Sequence, residues 1–437
     1  MKKYVLTIVA GCLFGPLPAQ QVYTLQSCLQ TGLEQNYAIR ISKNEQQIAA
    51  NDVTAANAGR LPSIDLSAGY SGALSGNRTE SAEGERGSAS GVYDQTVNAG
   101  LDLNWTLFDG FRVQTNYKRL QELRSLGEIN ARITIEDFVA DLTAEYYNYV
   151  QQKIRLKNFL YAVTLSKERL RIVEARYRIG SFSRLDLQQA RVDFNADSSQ
   201  YINQQELVQA SLIRLNELMA AENVNAALLI RDSVIRVDDR LDEGQLLDRM
   251  LRTNAALLQA DRNTTLAGLD LKTLQARNYP YVKLNAGYGY QLNRYGNNAN
   301  RQRQTWGPDV GATLGITLFD GNRRREQRNA GIRIENAELA RQQLELSLRA
   351  DLADFWQAYR NNLELLKLEE ENLVAATENH EIAMERYLLG DLSGIEMREA
   401  QKSLLDAEER ILTAQYNTKL CEISLQQISG GILHYLE

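Results

Sequence analysis

Proline is scarce, with five in 437 residues, and its placement is informative. Pro16 and Pro18 fall in an N-terminal leader, Pro62, Pro280 and Pro308 at the edges of strand-like segments, and none between 63 and 279. Nothing in that interval forbids very long helices. Histidine is rarer still, at His380 and His434 only, and no CxxC or HExxH spacing occurs. Metal-assisted or nucleophilic catalysis therefore has little to work with, and no cofactor site is evident. Acidic residues outnumber basic ones, 55 to 49, and no basic patch is interleaved with aromatics, which argues against a nucleic-acid partner. No glycine-rich phosphate loop is present, so any work the protein takes part in must be powered by a partner. Past the leader, no stretch approaches the ~18–20 apolar residues of a membrane helix. If the chain enters a bilayer, it does so with strands.

The leader itself spans residues 1–20: Lys2 and Lys3, an apolar run from Val5 to Phe14, then Pro-Leu-Pro-Ala, with cleavage expected near Ala19 or Gln20. Val9-Ala10-Gly11-Cys12 also resembles a lipoprotein box, which would anchor the chain through Cys12. Of the cysteines beyond it, Cys28 and Cys421 could pair, but Cys421 fits a row of small residues on a helical seam, where a buried thiol is expected.

Two copies of one design fill the rest. GLDLNWTLFDGFR (100–112) returns as GATLGITLFDGNR (311–323), and PSIDLSAGY (62–70) as PYVKLNAGY (280–288). The copies read as 21–222 and 241–430, joined by 223–240 and followed by a tail, 431–437. Each opens with a helix: Leu29, Leu33 and Asn36 in 24–60 match Leu247, Leu251 and Asn254 in 241–277, 218 positions on. A β-hairpin follows, 62–107 and 280–318, whose residues alternate between apolar and small or polar. The Gly- and Ser-rich stretches 74–95 and 293–306 read as its loops. Asp109 and Asp320 are placed to cap the helices that follow.

Four strands of about ten residues with one apolar face match bilayer-crossing β-strands. Four cannot close a barrel, for which about eight is the smallest workable number, and an open edge in lipid leaves backbone groups unpaired. Other copies of the chain are therefore required.

Helices fill 110–220 and 321–427. Leu142, Tyr149, Leu156, Val163, Leu170 and Tyr177 recur every seven residues, as do Leu352, Tyr359, Leu366, Leu373, His380 and Tyr387, the pattern of a coiled-coil seam. Each outgoing helix runs nearly 70 residues, on the order of 100 Å, before a matched turn: RYRIGSFSRLD (176–186) and RYLLGDLSGIE (386–396). Gly180 and Gly390 suit the left-handed helix end, and Ser183 and Ser393 suit the cap of the returning helix. Glu396 and Glu399 lie on one face of that helix. In a symmetric oligomer they would form carboxylate rings whose repulsion raises their pKa values.

The duplication, the proline-led strands, the paired Leu-Phe-Asp-Gly segments and the Tyr-x-x-Gly tips together resemble the TolC-like outer-membrane channel proteins, over essentially the whole mature chain. The resemblance implies a mainly α fold with a membrane β-barrel portion, in which a homotrimer closes a 12-stranded barrel continued by a helical periplasmic tunnel. It implies a passive exit duct of a tripartite efflux pump or type I secretion system, located in the outer membrane with a large periplasmic portion. Its partners would be outer-membrane lipid and, at the tips around Gly180, Ser183, Gly390 and Ser393, a periplasmic adaptor joined to an inner-membrane pump. The resemblance places Glu396 and Glu399 at the pore entrance, with Tyr387 and Asp186 as a pair that holds it shut by a hydrogen bond. The family's arginine two positions after the second glycine is replaced by Leu392, with Arg184 nearby. A periplasmic coiled-coil adaptor or scaffold would explain the heptads but not four lipid-facing strands.

Overall fold

The computed structural model describes residues 22–296 and 300–436; the leader and the Val9–Cys12 box lie outside them. The chain divides into two compact units. One comprises residues up to Ser42, Arg132–Ala255 and Glu345 onward; the other comprises Lys43–Ala131 and Ala256–Leu344.

In the first unit a two-residue strand, β1 (Val22–Tyr23), leads into α1 (Leu25–Gln35), which opens with a capping box between Thr24 and Ser27. The expected helix 24–60 is broken at Asn36 and ends early, since α2 spans Tyr37–Asn51. At ψ 127° Asn36 leaves the helical region, and its Oδ1 accepts from the amides of Ala38 (2.9 Å) and Ile39 (3.3 Å) to start α2. Its Nδ2 donates at 2.9 Å to the carbonyl of Leu218, the last residue of α4 (Arg184–Leu218). The second copy repeats the device between α5 (Glu243–Thr253) and α6 (Ala255–Ala276): Asn254 sits at ψ 122°, and its Nδ2 donates at 2.9 Å to the carbonyl of Ile428, which ends α8 (Gly394–Ile428). One asparagine thus ends a helix and ties that break to the return helix.

In the second unit, β2 (Ser63–Glu80), β3 (Arg86–Asp109), β5 (Tyr281–Arg294) and β6 (Gln302–Gly315) form one antiparallel sheet in that order. The strands are longer than the sequence suggests. Much of 74–95 and 293–306 is ladder and not loop, because these residues find backbone partners on the facing strand that their composition does not announce. Pro308 lies inside β6, opposite Tyr288, which a strand at the edge of the chain's sheet tolerates.

The register decides which side chains share a face. Leu66, Leu101, Tyr288 and Pro308 form one cross-strand row, and Ala68, Ala99, Tyr290 and Trp306 the next. The alternate rows read Asp65, Asp102, Gly287, Asp309 and Ser67, Gly100, Gly289, Gly307. Over these rows one side of the sheet is therefore apolar and the other small or polar, and the apolar side turns polar at its far end, at Gln95, Arg294 and Gln302. The apolar side is uncovered, with Leu66 79% exposed, Val310 76% and Leu314 75%. The strand-to-helix handover differs between copies. β3 runs to Asp109 because Phe108 and Asp109 pair with Val282 and Tyr281, whereas β6 stops at Gly315, opposite the first residue of β5, so Ile316 and Leu318 lie off the strand. Asp109 Oδ1 does accept from the first turn of α3 (Arg112–Arg178), from the amide of Val113 at 3.2 Å, while Asp320 Oδ1 accepts from Asn322 before α7 (Arg323–Leu389) begins.

α3 and α7 run unbroken through Gly127 and Gly331. In α7 the seam is buried at both ends, with Leu352, Tyr359, His380 and Tyr387 at 5% exposure or less, and half-buried between them at Leu366 and Leu373. In α3 it drifts: Leu142 and Tyr149 are buried, but nearer the tip Ala162, Arg169 and Val173 take over and Tyr177 is exposed, as a 3.6-residue helix drifts against a seven-residue repeat. Ala400, Ala407 and Ala414 are buried along α8. Cys28 and Cys421 are both free, and burial pushes the Cys28 thiol up to about 12.

The segment between the copies contributes β4 (Leu229–Ile230), parallel to β1. Hydroxyls from both outgoing helices hold it: Tyr146 donates to Asp232 at 2.7 Å and Tyr359 to the carbonyl of Asp238. Beside it, Lys419 and Glu422 form a buried ion pair at 2.6 Å, with Lys419 Nζ over the rings of Tyr147 and Tyr435.

Candidate functional site: the paired helical tips

The two turns in the first unit are built alike. Gly180 (φ 82°) and Gly390 (φ 91°) take the left-handed conformation, and the amides beyond them, Ser181 and Asp391, return to the carbonyls of Arg176 and Arg386 at 2.9 and 3.0 Å. Each returning helix opens with a capping box. Ser183 Oγ accepts from the Asp186 amide, and the Asp186 carboxylate accepts from the Ser183 amide (2.9 Å) and hydroxyl (2.7 Å). Ser393 and Glu396 do the same, at 3.0 and 2.8 Å.

These bonds set the acidities. The Ser183 hydroxyl, then its backbone amide, holds Asp186 below the ordinary carboxylate range, and Ser393 does the same for Glu396. The sequence-based expectation for Glu396 was the reverse. The repulsion behind that expectation needs neighbouring copies, while the cap acts within one chain. A depressed pKa means the caps are at full strength through neutral pH and are lost as pH falls through the lowered values. Protection of the Ser183 and Ser393 amides, which donate to these carboxylates, is expected to hold through neutral pH and fall in acid, whereas Asp186→Ala and Glu396→Ala should show weaker protection that is pH-independent over the same range. Equal profiles would show that the boxes do not hold the tips.

Tyr387 and Asp186 line one cavity, with Arg169, Arg176 and the 390–395 turn, but the expected bond between them is not made. Asp186 is engaged by its cap. The Tyr387 hydroxyl is buried without a hydrogen-bond partner among the described residues, and burial raises its pKa. The ring packs with Ala383, Met397 and Ala400. Glu399 is exposed on the same helix as Glu396.

The connection between the tips comes from Arg176, which sequence reasoning passed over in favour of Arg184. Its guanidinium lies over the rings of Phe182 (5.2 Å) and Tyr387 (5.6 Å) and donates to the carbonyls of Tyr387 and Leu388, both at 3.4 Å. The signal was present: an arginine stands four residues before the glycine in both tips, at Arg176 and Arg386. Two further pairs join the return helices and α3. Arg398 on α8 binds Asp197 on α4 with two bonds of 2.8 and 2.7 Å, and Arg169 on α3 pairs with Asp193 on α4.

Comparison with known proteins agrees with this architecture. Outer membrane protein TolC of Vibrio cholerae is 21% identical over 402 residues, covering 89% of this chain and 86% of that protein. Its namesake from Escherichia coli is 19% identical over 451 residues, covering 99% and 87%. Among solved structures, the outer membrane protein VceC from Vibrio cholerae matches with a TM-score of 0.75 at 17% identity, over 93% of this chain and 96% of that one. The Campylobacter jejuni CmeC outer membrane channel matches with a TM-score of 0.74 at 17% identity, over 93% and 85%. The sequence profile described as "Outer membrane efflux protein" matches residues 28–221 and 246–431, one stretch in each copy of the duplicated design. With that match spanning most of the chain, the protein belongs to the outer membrane efflux protein family.

Proposed function

We propose that the protein is a passive exit duct in the outer membrane, in which three copies pool their sheets into one 12-stranded barrel and their helices into a periplasmic tunnel. The observation that carries this reading is the sheet: four strands in one register, an apolar band on one face that no described residue covers, and two edges, β2 and β6, without a strand partner among the described residues. In water such a face would be a severe liability; in lipid it is a spanning surface, provided the edges find partners. Copies of the same chain supply them, β6 of one meeting β2 of the next. The exposed Ile316 and Leu318, which continue the apolar parity of β6, would then gain the partner they lack in one chain.

Energy and substrate delivery fall to an inner-membrane pump with its periplasmic adaptor, or to the corresponding type I secretion components. The tips are where an adaptor would dock: each presents a matched apolar pair, Ile179 and Leu185 in one, Leu389 and Ile395 in the other, all at least 76% exposed. Glu396 and Glu399 would ring the entrance and favour cations. The test is reconstitution of purified mature protein into planar bilayers. A trimer with discrete conductance is expected, and recovery as a water-soluble monomer would overturn the duct. In the same bilayers, Glu396→Ala/Glu399→Ala is expected to lower cation preference several-fold and weaken block by divalent cations; unchanged selectivity would remove the ring.

A further inference from the structure

The end of the sheet nearest the helices carries features that a plain lipid-facing wall does not need. Asp109, Tyr281 and Gly315 share one register row, so the corners 107–111 and 316–321 flank the same end of the sheet. At the first corner the chain takes two left-handed residues in a row, Gly110 (φ 69°) and Phe111 (φ 70°). Gly110 is obligatory there, since a Cβ would lie 2.1 Å from the carbonyl of Ala276. Phe111 has no such freedom, and a bulky residue at positive φ is strained. The strained turn holds its ring half outside, 54% exposed, edge-on to Phe108 (5.2 Å) and Tyr279 (6.1 Å).

Beside this corner opens a cavity of about 650 Å³. Its apolar walls are Trp105, Leu107, Phe108 and Tyr117, and Trp105 Nε1 donates to the carbonyl of Arg60 at 2.9 Å. Its rim carries Arg60 and Lys118, both exposed and neither in an ion pair with any described residue, while the one carboxylate of the lining, Asp109, is 7% exposed as a side chain and paired with Arg112 at 2.9 Å. Trp105 stands on the apolar face of the sheet, so the groove continues the surface assigned to lipid. The second corner has the same composition: Leu318 and Phe319 are 89% and 87% exposed, and Arg324, Arg325 and Arg328 follow, all exposed, in the first two turns of α7. Cations at a helix N-terminus oppose the helix dipole. Helix stability does not call for them there; an external anion does.

We propose that this groove is a binding site for an anionic phospholipid of the inner leaflet, its phosphate between Arg60 and Lys118 and its acyl chains along Trp105, Leu107 and Phe108. Aromatic and basic side chains together mark the headgroup level of a bilayer, and basic pockets beside membrane segments take phosphate headgroups. The inference rests on the duct reading for its orientation in the membrane. Each cation near an anionic lipid surface is worth about fivefold in binding, so the pair should give roughly a twenty-five-fold preference for an anionic over a zwitterionic headgroup.

The purified channel, stripped of lipid in detergent, is offered phosphatidylglycerol, phosphatidylcholine or inorganic phosphate, and bound lipid is read by native mass spectrometry. Phosphatidylglycerol should be retained about tenfold or more over phosphatidylcholine, Arg60→Ala/Lys118→Ala should abolish that preference, and Arg60→Lys/Lys118→Arg should keep it. Equal retention of the two lipids by the wild type, an unchanged preference in the alanine variant, or displacement by inorganic phosphate would each overturn the proposal. Insertion into vesicles is measured in parallel. A wild type that inserts without headgroup preference defeats this site alone; one that never inserts but still selects phosphatidylglycerol defeats the duct and leaves the site standing.

Discussion

Glu422→Gln is expected to lower the stability of the helical unit by about 3–5 kcal/mol, among the largest effects any single change in this chain should have. Glu422 lies at the centre of a buried knot. One oxygen accepts from Lys419 (2.6 Å) and from the Tyr435 hydroxyl (2.6 Å), and the other from the Asp238 amide (3.0 Å). Its side chain is 4% exposed and that of Lys419 7%. Glutamine keeps the shape but removes the counter-charge, leaving an ammonium sealed among Tyr147, Tyr435 and apolar neighbours. The cost is that of an unpaired buried ion, not of one hydrogen bond.

The knot therefore discriminates among substitutions. Tyr435→Phe removes only one donor to a charged acceptor, worth about 1.5–3 kcal/mol, and should shift the denaturation midpoint less than Glu422→Gln. Lys419→Met/Glu422→Leu removes both charges and should recover most of the loss, because paired burial often contributes little net stability. Urea denaturation followed by circular dichroism gives the order. If Glu422→Gln and wild type unfold at the same midpoint, the buried pair has no structural weight. The knot also gives the tail a purpose: Tyr435, in the short 3-10 turn Ile432–Leu436, fastens the C-terminal segment to α8 and to the connector.

What was legible in the sequence is what depends on near neighbours. The apolar parity of the strands, the seven-residue seam and the twin tips all follow from local spacing, and each is visible twice. What escaped depends on partners far along the chain. Ser88 and Arg78 read as loop by composition, yet each has a strand opposite it. β3 extends to Asp109 and β6 stops at Gly315 only because of where β5 begins. Asn36 and Asn254 were noticed as a matched pair, but their action depends on carbonyls at the ends of α4 and α8. Arg398 and Lys419 are two among 49 basic residues, and nothing local marks them as the ones that reach another helix, whereas Arg176 could have been singled out by its match to Arg386. The tip carboxylates show the opposite hazard. Asp186 and Glu396 stand out by their matched spacing from the glycines, and that spacing is first of all the third position of a capping box.

Arg398→Ala is expected to raise the open fraction of the duct by about 10²–10³. The pair Arg398–Asp197 links α8 of the second copy to α4 of the first, and Asp197 is 3% exposed as a side chain. If the entrance opens by the 322–427 hairpin moving away from the first, α8 must leave α4 and this pair must separate. In the variant the closed packing keeps a buried carboxylate with no guanidinium bonded to it, Arg169 being engaged by Asp193, a penalty of about 3–5 kcal/mol, and each 1.4 kcal/mol is tenfold in population. Opening relieves that penalty by giving Asp197 to water. Single-channel open probability should therefore rise by the same factor. Asp197→Asn should produce a smaller change, because a neutral amide is left behind in place of a buried charge. A double-mutant cycle of the two positions should show a coupling well above 0.5 kcal/mol. Because the pair is buried, the closed state should be nearly indifferent to ionic strength, whereas any effect of the exposed Glu396 and Glu399 should fade as salt rises. An Arg398→Ala channel that conducts as the wild type does, or a cycle with no coupling, would mean that α8 is held to α4 by packing alone.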